Sequence, residues 1–232
     1  MNTNVIAIDG PSGSGKGTVS KLLADKLGFN TMDTGAMYRC VALYFIKNNV
    51  DGDDLDQVNN ALENIKIDMK KIDDVLHVYL NDEDVSDVIR TPEISAGASK
   101  YSAIPEVRRK MVDLQRKLAK TGKYILEGRD IGTVVFPDAL TKLYLDATPE
   151  ERANRRYKQN LEKGITDSYE EVLKAIKERD YNDSHRETDP LRKADDAVLI
   201  DTTNLTIDEV VEECYKIANE RIQTQIAMTG LF

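Results

Sequence analysis

The sequence predicts an α/β fold in which helices cover a five-stranded parallel sheet. Five short, continuous apolar segments alternate with longer segments of helical periodicity, which is the pattern of a buried parallel sheet with right-handed crossover helices. A glycine-rich turn joins the first strand to the first helix. A stretch of strict alternation near residues 62–90 indicates a small antiparallel insertion. The predicted strands are residues 5–8, 29–33, 124–126, 142–146 and 196–201.

Composition limits the classes of partner that the chain can have. It has 232 residues, a net charge of −9 and a pI of about 4.9, so we expect no nucleic-acid surface. Cys40 and Cys214 have neither disulfide nor metal-binding spacing and are expected to be small buried apolar residues. No apolar segment approaches the roughly 18 residues of a membrane span, and no signal peptide is visible. We therefore expect a cytoplasmic protein with no membrane partner.

The first predicted unit is a strand, a glycine-rich turn and a helix. The strand is Val5–Ile8, and the helix carries apolar residues at helical spacing after the turn. Glycines let the turn approach a ligand, and its N–H groups then point into one concavity at a helix N-terminus, which is a polyphosphate site. Lys16 adds a charge for the β- and γ-phosphates of the ligand. The predicted phosphate-binding residues are Gly10, Pro11, Ser12, Gly13, Ser14, Gly15, Lys16, Gly17 and Thr18.

The residue after Lys16 leaves the magnesium contact of this loop open. The common form of the motif has Ser or Thr there to contact Mg²⁺, whereas this chain has Gly17, and Thr18 comes one position later. We expect no direct protein ligand to the metal. Mg²⁺ would be held by the phosphates of the ligand, with contacts through water to Thr18, Asp33 or Glu127.

The next elements alternate between helix and strand signals. Asp33-Thr34-Gly35 is a turn and N-cap signal that opens a helix ending near Asn48-Asn49. A short helix is predicted over 54–64, then a hairpin from residues 65–69 and 75–80, with a further turn at Asn81-Asp82-Glu83.

The second half of the chain returns to helices and core strands. Pro105 opens a helix to about Lys120, and a capping box at Thr148 opens a helix over 149–163. Further helices are predicted over 168–187 and 206–224. The residues after Thr224 give no structural signal.

Two arginines lie near predicted strand ends, where a parallel sheet binds its ligands. Arg39 is on the helix that follows Asp33 and could hold an anionic substrate. That Arg39 is simply a solvated surface residue is an equally open interpretation. Glu127-Gly128-Arg129-Asp130 ends a core strand, so its charges lie at the predicted binding edge. Exposed Arg-Asp neighbours are usually solvated and contribute little, but this position favours a function.

Two helical stripes of charge also suggest substrate binding. Arg152, Arg155 and Arg156 share one face, where they could close over a polyphosphate as a lid or pair with Glu150, Glu151 and Glu162. These two interpretations stay open.

Arg179, Asp183 and Arg186 lie at i, i+4 and i+7 on one face of a predicted helix. The two guanidinium groups donate hydrogen bonds and the carboxylate between them accepts, a combination that suits a polar substrate. A simple i,i+4 ion pair between Arg179 and Asp183 is the alternative. His77 and His185 lack spacing partners and are expected to be structural or solvated.

Four segments together make the chain resemble the bacterial cytidylate kinases, a family of P-loop nucleoside monophosphate kinases. They are IDGPSGSGKGT at 8–18, DTGAMYR at 33–39, EGRDIGTVVFPDA at 127–139 and IKERDYNDSHR at 176–186. The resemblance covers about residues 4–222. It implies a P-loop NTPase three-layer fold with a helical lid and the antiparallel insertion on the monophosphate side.

The same resemblance implies one kinase unit over residues 1–232. Its core would comprise about 1–61, 101–148 and 187–224. The monophosphate-binding insertion would be about 62–100, and the lid and substrate helices about 149–186.

The resemblance also implies ATP-dependent phosphorylation of CMP and dCMP with Mg²⁺ by a monomer. The implied catalytic residues are Lys16, Arg39, Arg129, Arg152 and Arg156. Arg39 and Arg129 would bind the acceptor phosphate, and Thr34, Arg108, Asp130 and Arg186 the base. Ser99, Arg179 and Asp183 would bind the sugar.

The chemistry of cytosine agrees with these implied base contacts. Its N4 amino group donates a hydrogen bond that Asp130 could accept, whereas uracil has a carbonyl at that position. Two positions depart from some family members: Thr34 replaces Ser and Glu127 replaces Asp.

Phosphoryl transfer needs positioning and charge stabilisation rather than a covalent nucleophile, which suits this set of residues. The alternatives are a P-loop kinase of another small acceptor, such as UMP, another nucleotide or a hydroxyl metabolite, and an ATP-dependent switch that transfers no phosphate to a small molecule.

Overall fold

The computed structural model describes residues 2–73 and 75–230 and confirms the predicted α/β class. Five strands form the main sheet: β1 (Asn2–Asp9), β2 (Asn30–Asp33), β6 (Tyr124–Gly128), β7 (Ala139–Asp146) and β8 (Val198–Asp201). Three more form a small sheet: β3 (Ile67–Ile72), β4 (Val75–Leu80) and β5 (Glu83–Asp84). The helices are α1 (Lys16–Leu27), α2 (Thr34–Lys47), α3 (Leu55–Glu63), α4 (Pro92–Tyr101), α5 (Pro105–Leu118), α6 (Pro149–Glu162), α7 (Tyr169–His185) and α8 (Ile207–Thr229).

The main sheet has the strand order β2–β6–β1–β7–β8. β1 pairs in parallel with both β6 and β7, and β7 pairs in parallel with β8. The chain therefore forms β2 and β6 on one side of β1 and later β7 and β8 on the other side. This change of direction makes the carboxyl end of β1 a topological switch point. The register sets Asp9 opposite Gly128 on one side and Tyr144 on the other, so the ends of the three central strands lie together.

The chain divides into two compact units, residues 1–31 with 119–232 and residues 32–118. In the first unit, α1 and α8 bury their apolar residues against the sheet. Ile6, Leu23 and Cys214 are fully buried in this core. Burial of such apolar area is the main stabilising contribution to the fold. The free thiol of Cys214 is therefore a core residue, as predicted.

The second unit contains α2 to α5 and the small antiparallel sheet, in the order β3–β4–β5. The hairpin register pairs Ile67 with Leu80 and Ile72 with Val75, which confirms the predicted insertion. One detail differs from the sequence prediction: Glu83 pairs with Leu80 rather than only forming a turn. The segment after Pro92, for which the sequence analysis predicted no element, is a helix because Thr91 caps it and Pro92 fits its first turn. Cys40 is buried in this unit, as predicted.

The other element bounds agree with the sequence within a few residues, apart from the last helix. α8 continues to Thr229, beyond the predicted end at 224, and residues 231 and 232 lie outside the described part. Thr148 caps α6, but the predicted capping box is incomplete because Glu151 pairs with Arg155 instead. Within residues 2–73 and 75–230, no helix is both long and apolar enough to cross a membrane.

Candidate active site

The glycine-rich loop follows β1 and leads directly into α1. Gly10, Gly13 and Gly15 have φ angles of +149°, +79° and +92°, a region that other residues rarely adopt. A Cβ atom at Gly10 would lie 2.0 Å from the carbonyl oxygen of Leu145 in β7. Glycine is therefore required at residue 10 both for the turn and for packing of the loop against the neighbouring strand.

The N-terminus of α1 has the features of an anion site. Gly15 is its N-cap, and among the described residues no side chain caps the first turn. The first N–H groups of a helix lack intrahelical partners and carry the positive end of the helix dipole. Ser14 is buried and donates to the carbonyl oxygen of Pro11 at 3.0 Å, which closes the loop on itself. These donors fit a polyphosphate.

Lys16 lies inside the loop and is only 6% exposed. Its Nζ donates to the Pro11 carbonyl oxygen at 2.6 Å and to Ser14 Oγ at 3.3 Å. Burial, followed by repulsion from Arg129, lowers the pKa of Lys16 from 10.5 to about 7, although Glu127 and Asp9 oppose this change. Lys16 and Arg129 therefore act on the same small region of the site.

Asp9 anchors the turn that follows Arg129 and Asp130. Its carboxylate accepts hydrogen bonds from the N–H groups of Ile131 and Gly132 at 2.8 and 2.7 Å. Burial raises the pKa of Asp9 to about 6, against the effect of these two bonds. In the sequence, Asp9 lies between the predicted strand Val5–Ile8 and the first glycine of the loop. A carboxylate directly before a phosphate loop was the signal available, but its partners lie 122 and 123 residues away.

Arg129, Asp183 and Arg179 form one ion-pair array in which Asp183 is buried and the two arginines are partly buried. Arg129 Nε donates to Asp183 Oδ2 at 2.8 Å, and Arg179 Nε lies 3.9 Å from the same oxygen. Burial would raise the pKa of Asp183, but Arg129 and Arg179 outweigh it and hold that pKa below its usual value. The structure therefore brings together the strand-end arginine and the helical stripe that the sequence indicated separately.

Three other predicted residues of this unit have distinct surroundings. Asp130 is buried at the start of the turn that Asp9 holds. Arg186, at the end of α7, donates from Nε to the carbonyl oxygen of Asp189 at 2.8 Å. A Cβ atom at Gly17 would lie 3.2 Å from Glu127 Oε1, a tight contact with the end of that side chain. Glu127 therefore lies directly beside the start of α1.

Thr18 is exposed on α1. The water-mediated metal contacts expected for Thr18, Asp33 and Glu127 stay predictions.

The arginine face of α6 reaches the phosphate loop. Arg152 Nη1 donates to the carbonyl oxygen of Ser12 at 3.1 Å, and the guanidinium forms a bidentate pair with Asp180 of α7. Arg155 pairs with Glu151, as one interpretation of the sequence expected. Arg156 is half-buried on the same helix. The partner of Arg152 is therefore an aspartate that the sequence analysis did not identify.

The remaining predicted residues belong to the second unit. Asp33 caps α2 through Ala36 N–H at 2.9 Å and accepts from Arg39 Nη2 at 2.8 Å. Burial opposes the ionisation of Asp33, but Arg39 and the cap keep its pKa below the usual value. Thr34 is buried beside this pair.

Arg108 is 1% exposed, with its guanidinium 5.4 Å from the Tyr38 ring centroid and Nη1 donating to the carbonyl oxygen of Ser102 at 3.2 Å. Ser99 is half-buried on α4, and its carbonyl oxygen accepts from Ser102 Oγ. A buried arginine at the start of α5 is costly unless it is paired, and the Ser102 carbonyl oxygen and the Tyr38 ring are partners that lower this cost.

Comparison with known proteins places the chain in one family. The family model for cytidylate kinase matches residues 6–220. The chain is 52% identical to the cytidylate kinase of Fusobacterium nucleatum over 91% of this chain and 95% of that protein. It is 50% identical to the cytidylate kinase of Thermosipho melanesiensis over 93% and 97% of the two chains.

Among solved structures, an uncharacterized protein from Eubacterium ventriosum matches with a TM-score of 0.51 at 12% identity, covering 94% of this chain and 99% of that one. That similarity concerns the fold alone. The sequence identities and the family model, in contrast, extend over the phosphate loop and the arginine-rich segments. The chain belongs to the cytidylate kinase family.

Proposed function

We propose that this protein transfers the γ-phosphoryl group of ATP to CMP and dCMP, giving CDP and dCDP. The observation that carries the proposal is the position of Lys16 beside the Arg129–Asp183–Arg179 array at the carboxyl edge of the sheet. This arrangement sets a phosphate-loop lysine next to Arg129, which can hold a second phosphate, in a chain of the cytidylate kinase family.

The residues present fit ATP as the phosphoryl donor. The glycine backbone and the open N-terminus of α1 offer N–H groups to its phosphates, and Lys16 offers an ammonium group. ATP with Mg²⁺ would supply the transferable phosphoryl group and neutralise its charge. A nearby polyphosphate would also favour the protonated form of Lys16, because an opposite charge raises the pKa of a lysine.

The acceptor phosphate would be held by Arg129 and Arg39. A phosphate monoester has a second pKa of about 6, so it is already largely ionised at neutral pH and needs no general base. The task of the protein is then to align the acceptor oxygen with the γ-phosphorus and to exclude water. Arg152 and Arg156 on α6 would contribute to closure over the phosphates.

Base selection would depend on a carboxylate acceptor and guanidinium donors. Asp130 would accept from the cytosine N4 amino group, while Arg108 and Arg186 would donate to ring acceptors and Thr34 would offer a hydroxyl. Ser99, Arg179 and Asp183 would bind the sugar. The buried positions of Asp130, Arg108 and Thr34 support this assignment because buried polar groups discriminate strongly between hydrogen-bonding patterns.

Other features of the proposal follow from the family resemblance. We propose a monomer in the cytoplasm that uses nucleotides rather than nucleic acid or membranes, with α6 and α7 as the lid and the small β-sheet within the monophosphate-binding insertion. The boundaries of core, insertion and lid stay predictions.

The test is ADP production from ATP and Mg²⁺ with CMP, dCMP, UMP, AMP, GMP and shikimate offered separately. Fast turnover with CMP and dCMP, slow turnover with UMP and none with the others is the expected result. Turnover with a different acceptor alone would refute the cytosine assignment. ATP hydrolysis that no acceptor stimulates would refute the kinase assignment.

A further inference from the structure

Two arginines of α6 brace the backbone of the phosphate loop from outside. Arg152 reaches the carbonyl oxygen of Ser12 directly at 3.1 Å. Arg155 reaches the loop through Thr202, which accepts from Arg155 Nη1 at 3.0 Å and donates from Oγ1 to the carbonyl oxygen of Ser14 at 3.3 Å. The guanidinium group of Arg152 thus holds one peptide unit of the loop directly, and that of Arg155, three residues later on the same helix, holds a second one through Thr202.

The Arg152 brace depends on Asp180 for its geometry. Asp180 accepts from Nη1 at 2.9 Å and from Nη2 at 2.6 Å, while Nε donates to the carbonyl oxygen of Ala147 at 2.8 Å. Arg152 is 3% exposed, so these bonds replace water almost completely. A bidentate carboxylate fixes both the position and the plane of a guanidinium group. Without it, nothing else on α7 that the structure describes would hold that plane.

Fixing these carbonyl groups also orients the N–H groups of the loop. In a trans peptide the C=O and the following N–H point in opposite directions from one rigid plane. Holding the Ser12 carbonyl toward Arg152 therefore turns the Gly13 N–H to the other side of the chain, and holding the Ser14 carbonyl does the same for the Gly15 N–H. Both glycines have positive φ angles and would otherwise have unusual rotational freedom.

We propose that Asp180 is a positioning residue for the ATP phosphates. It holds Arg152 against Ser12 and so keeps the N–H groups of the loop directed at the nucleotide, without touching the nucleotide itself. Thr202 has the same role on the second brace. The inference rests on the proposed function because ATP is taken as the ligand of the loop.

The test compares Asp180→Asn with wild type in two measurements. The first is calorimetric titration with a non-hydrolysable ATP analogue and Mg²⁺ in the absence of acceptor. The second is the pair of KM values for ATP and CMP. The amide replaces one carboxylate oxygen by a group that cannot accept from Arg152, so we expect ATP affinity to fall about tenfold. The KM for CMP should change by less than about twofold.

Lys177→Met is the matched control. Lys177 pairs with Glu150 at 3.0 Å between the same two helices, but both side chains are more than half exposed and neither contacts the loop. Breaking that pair should leave ATP affinity unchanged, since exposed ion pairs contribute little. If Asp180→Asn does not fold, Thr202→Val gives an independent answer through the second brace, with an expected loss of about threefold in ATP affinity.

The inference would be overturned if Asp180→Asn bound the ATP analogue within twofold of wild type or more tightly than wild type. Equal increases in the KM values for ATP and CMP would also overturn it. Failure of the proposed function has a different signature: the wild-type protein would then bind the ATP analogue but show no CMP-dependent turnover, and the titration would still report the role of Asp180.

Discussion

Replacing Lys16 by methionine should abolish phosphoryl transfer and yet make the fold more stable. Lys16 is buried in the loop, with Arg129 and Arg179 contributing repulsion. Methionine has a similar length and no charge, so it removes the unfavourable desolvation together with the function. Stability and activity should therefore change in opposite directions.

The size of the effect follows from the lowered pKa. The value changes from 10.5 in the unfolded chain to about 7 in the fold. At about 1.4 kcal/mol per pKa unit, the folded protein bears a cost of about 4 kcal/mol at pH 7. The variant also loses the bond to the Pro11 carbonyl, which offsets about 1–3 kcal/mol. We expect a net increase of about 1–3 kcal/mol in the free energy of unfolding, or about 2–4 °C in Tm for each kcal/mol.

The assay is urea unfolding of both proteins without nucleotide between pH 7 and pH 10. Because the pKa of Lys16 is lower in the folded protein than in the unfolded chain, the unfolded chain binds more protons between pH 7 and pH 10. The contribution of Lys16 to the free energy of unfolding of the wild type therefore rises with pH. The stability gap between variant and wild type should therefore shrink toward pH 10. Lys21→Met, at an exposed position of the same helix, should show no gap. A less stable Lys16→Met protein at pH 7, or a gap independent of pH, would refute this reasoning.

Three further substitutions test the loop, the acceptor site and base selection. Gly10→Ala should destabilise the fold by more than about 3 kcal/mol in chemical unfolding, because its Cβ would collide with Leu145. Gly164→Ala is the control: Gly164 has a φ of +72° but no heavy atom within 4 Å of the added Cβ, so the loss should be about 1 kcal/mol. Arg129→Ala should lower kcat at saturating substrates by at least about 100-fold, and unchanged turnover would exclude it from the site. Asp130→Asn should reduce the ratio of kcat/KM for CMP over UMP about tenfold or more, and an unchanged ratio would contradict its role as base acceptor.

Much of the fold was predictable because its signals are local. The continuous apolar run at Val5–Ile8 marked the central strand, and Asp33 and Thr148 show how short polar side chains at helix starts satisfy N–H groups within a few residues. The hairpin insertion was recognisable from its period of two. Where the bounds differ, as in the extension of α8 to Thr229, the sequence offers no stop signal before Gly230, which ends the helix in the left-handed conformation.

The sequence by itself determined the fold class, the phosphate loop and the candidate arginines, since each depends on spacing along a few turns or on one strand end. Only the tertiary structure decided their partners. Arg129 meets Asp183 across 54 residues, Asp9 holds a turn more than 120 residues away, and Arg152 joins the loop carbonyl of Ser12 to Asp180. Such pairs form because strand order and helix packing bring remote segments to one sheet edge. A charge in the sequence therefore indicates a capacity to bind, and the burial and partners that give it a specific role exist only once the chain is folded.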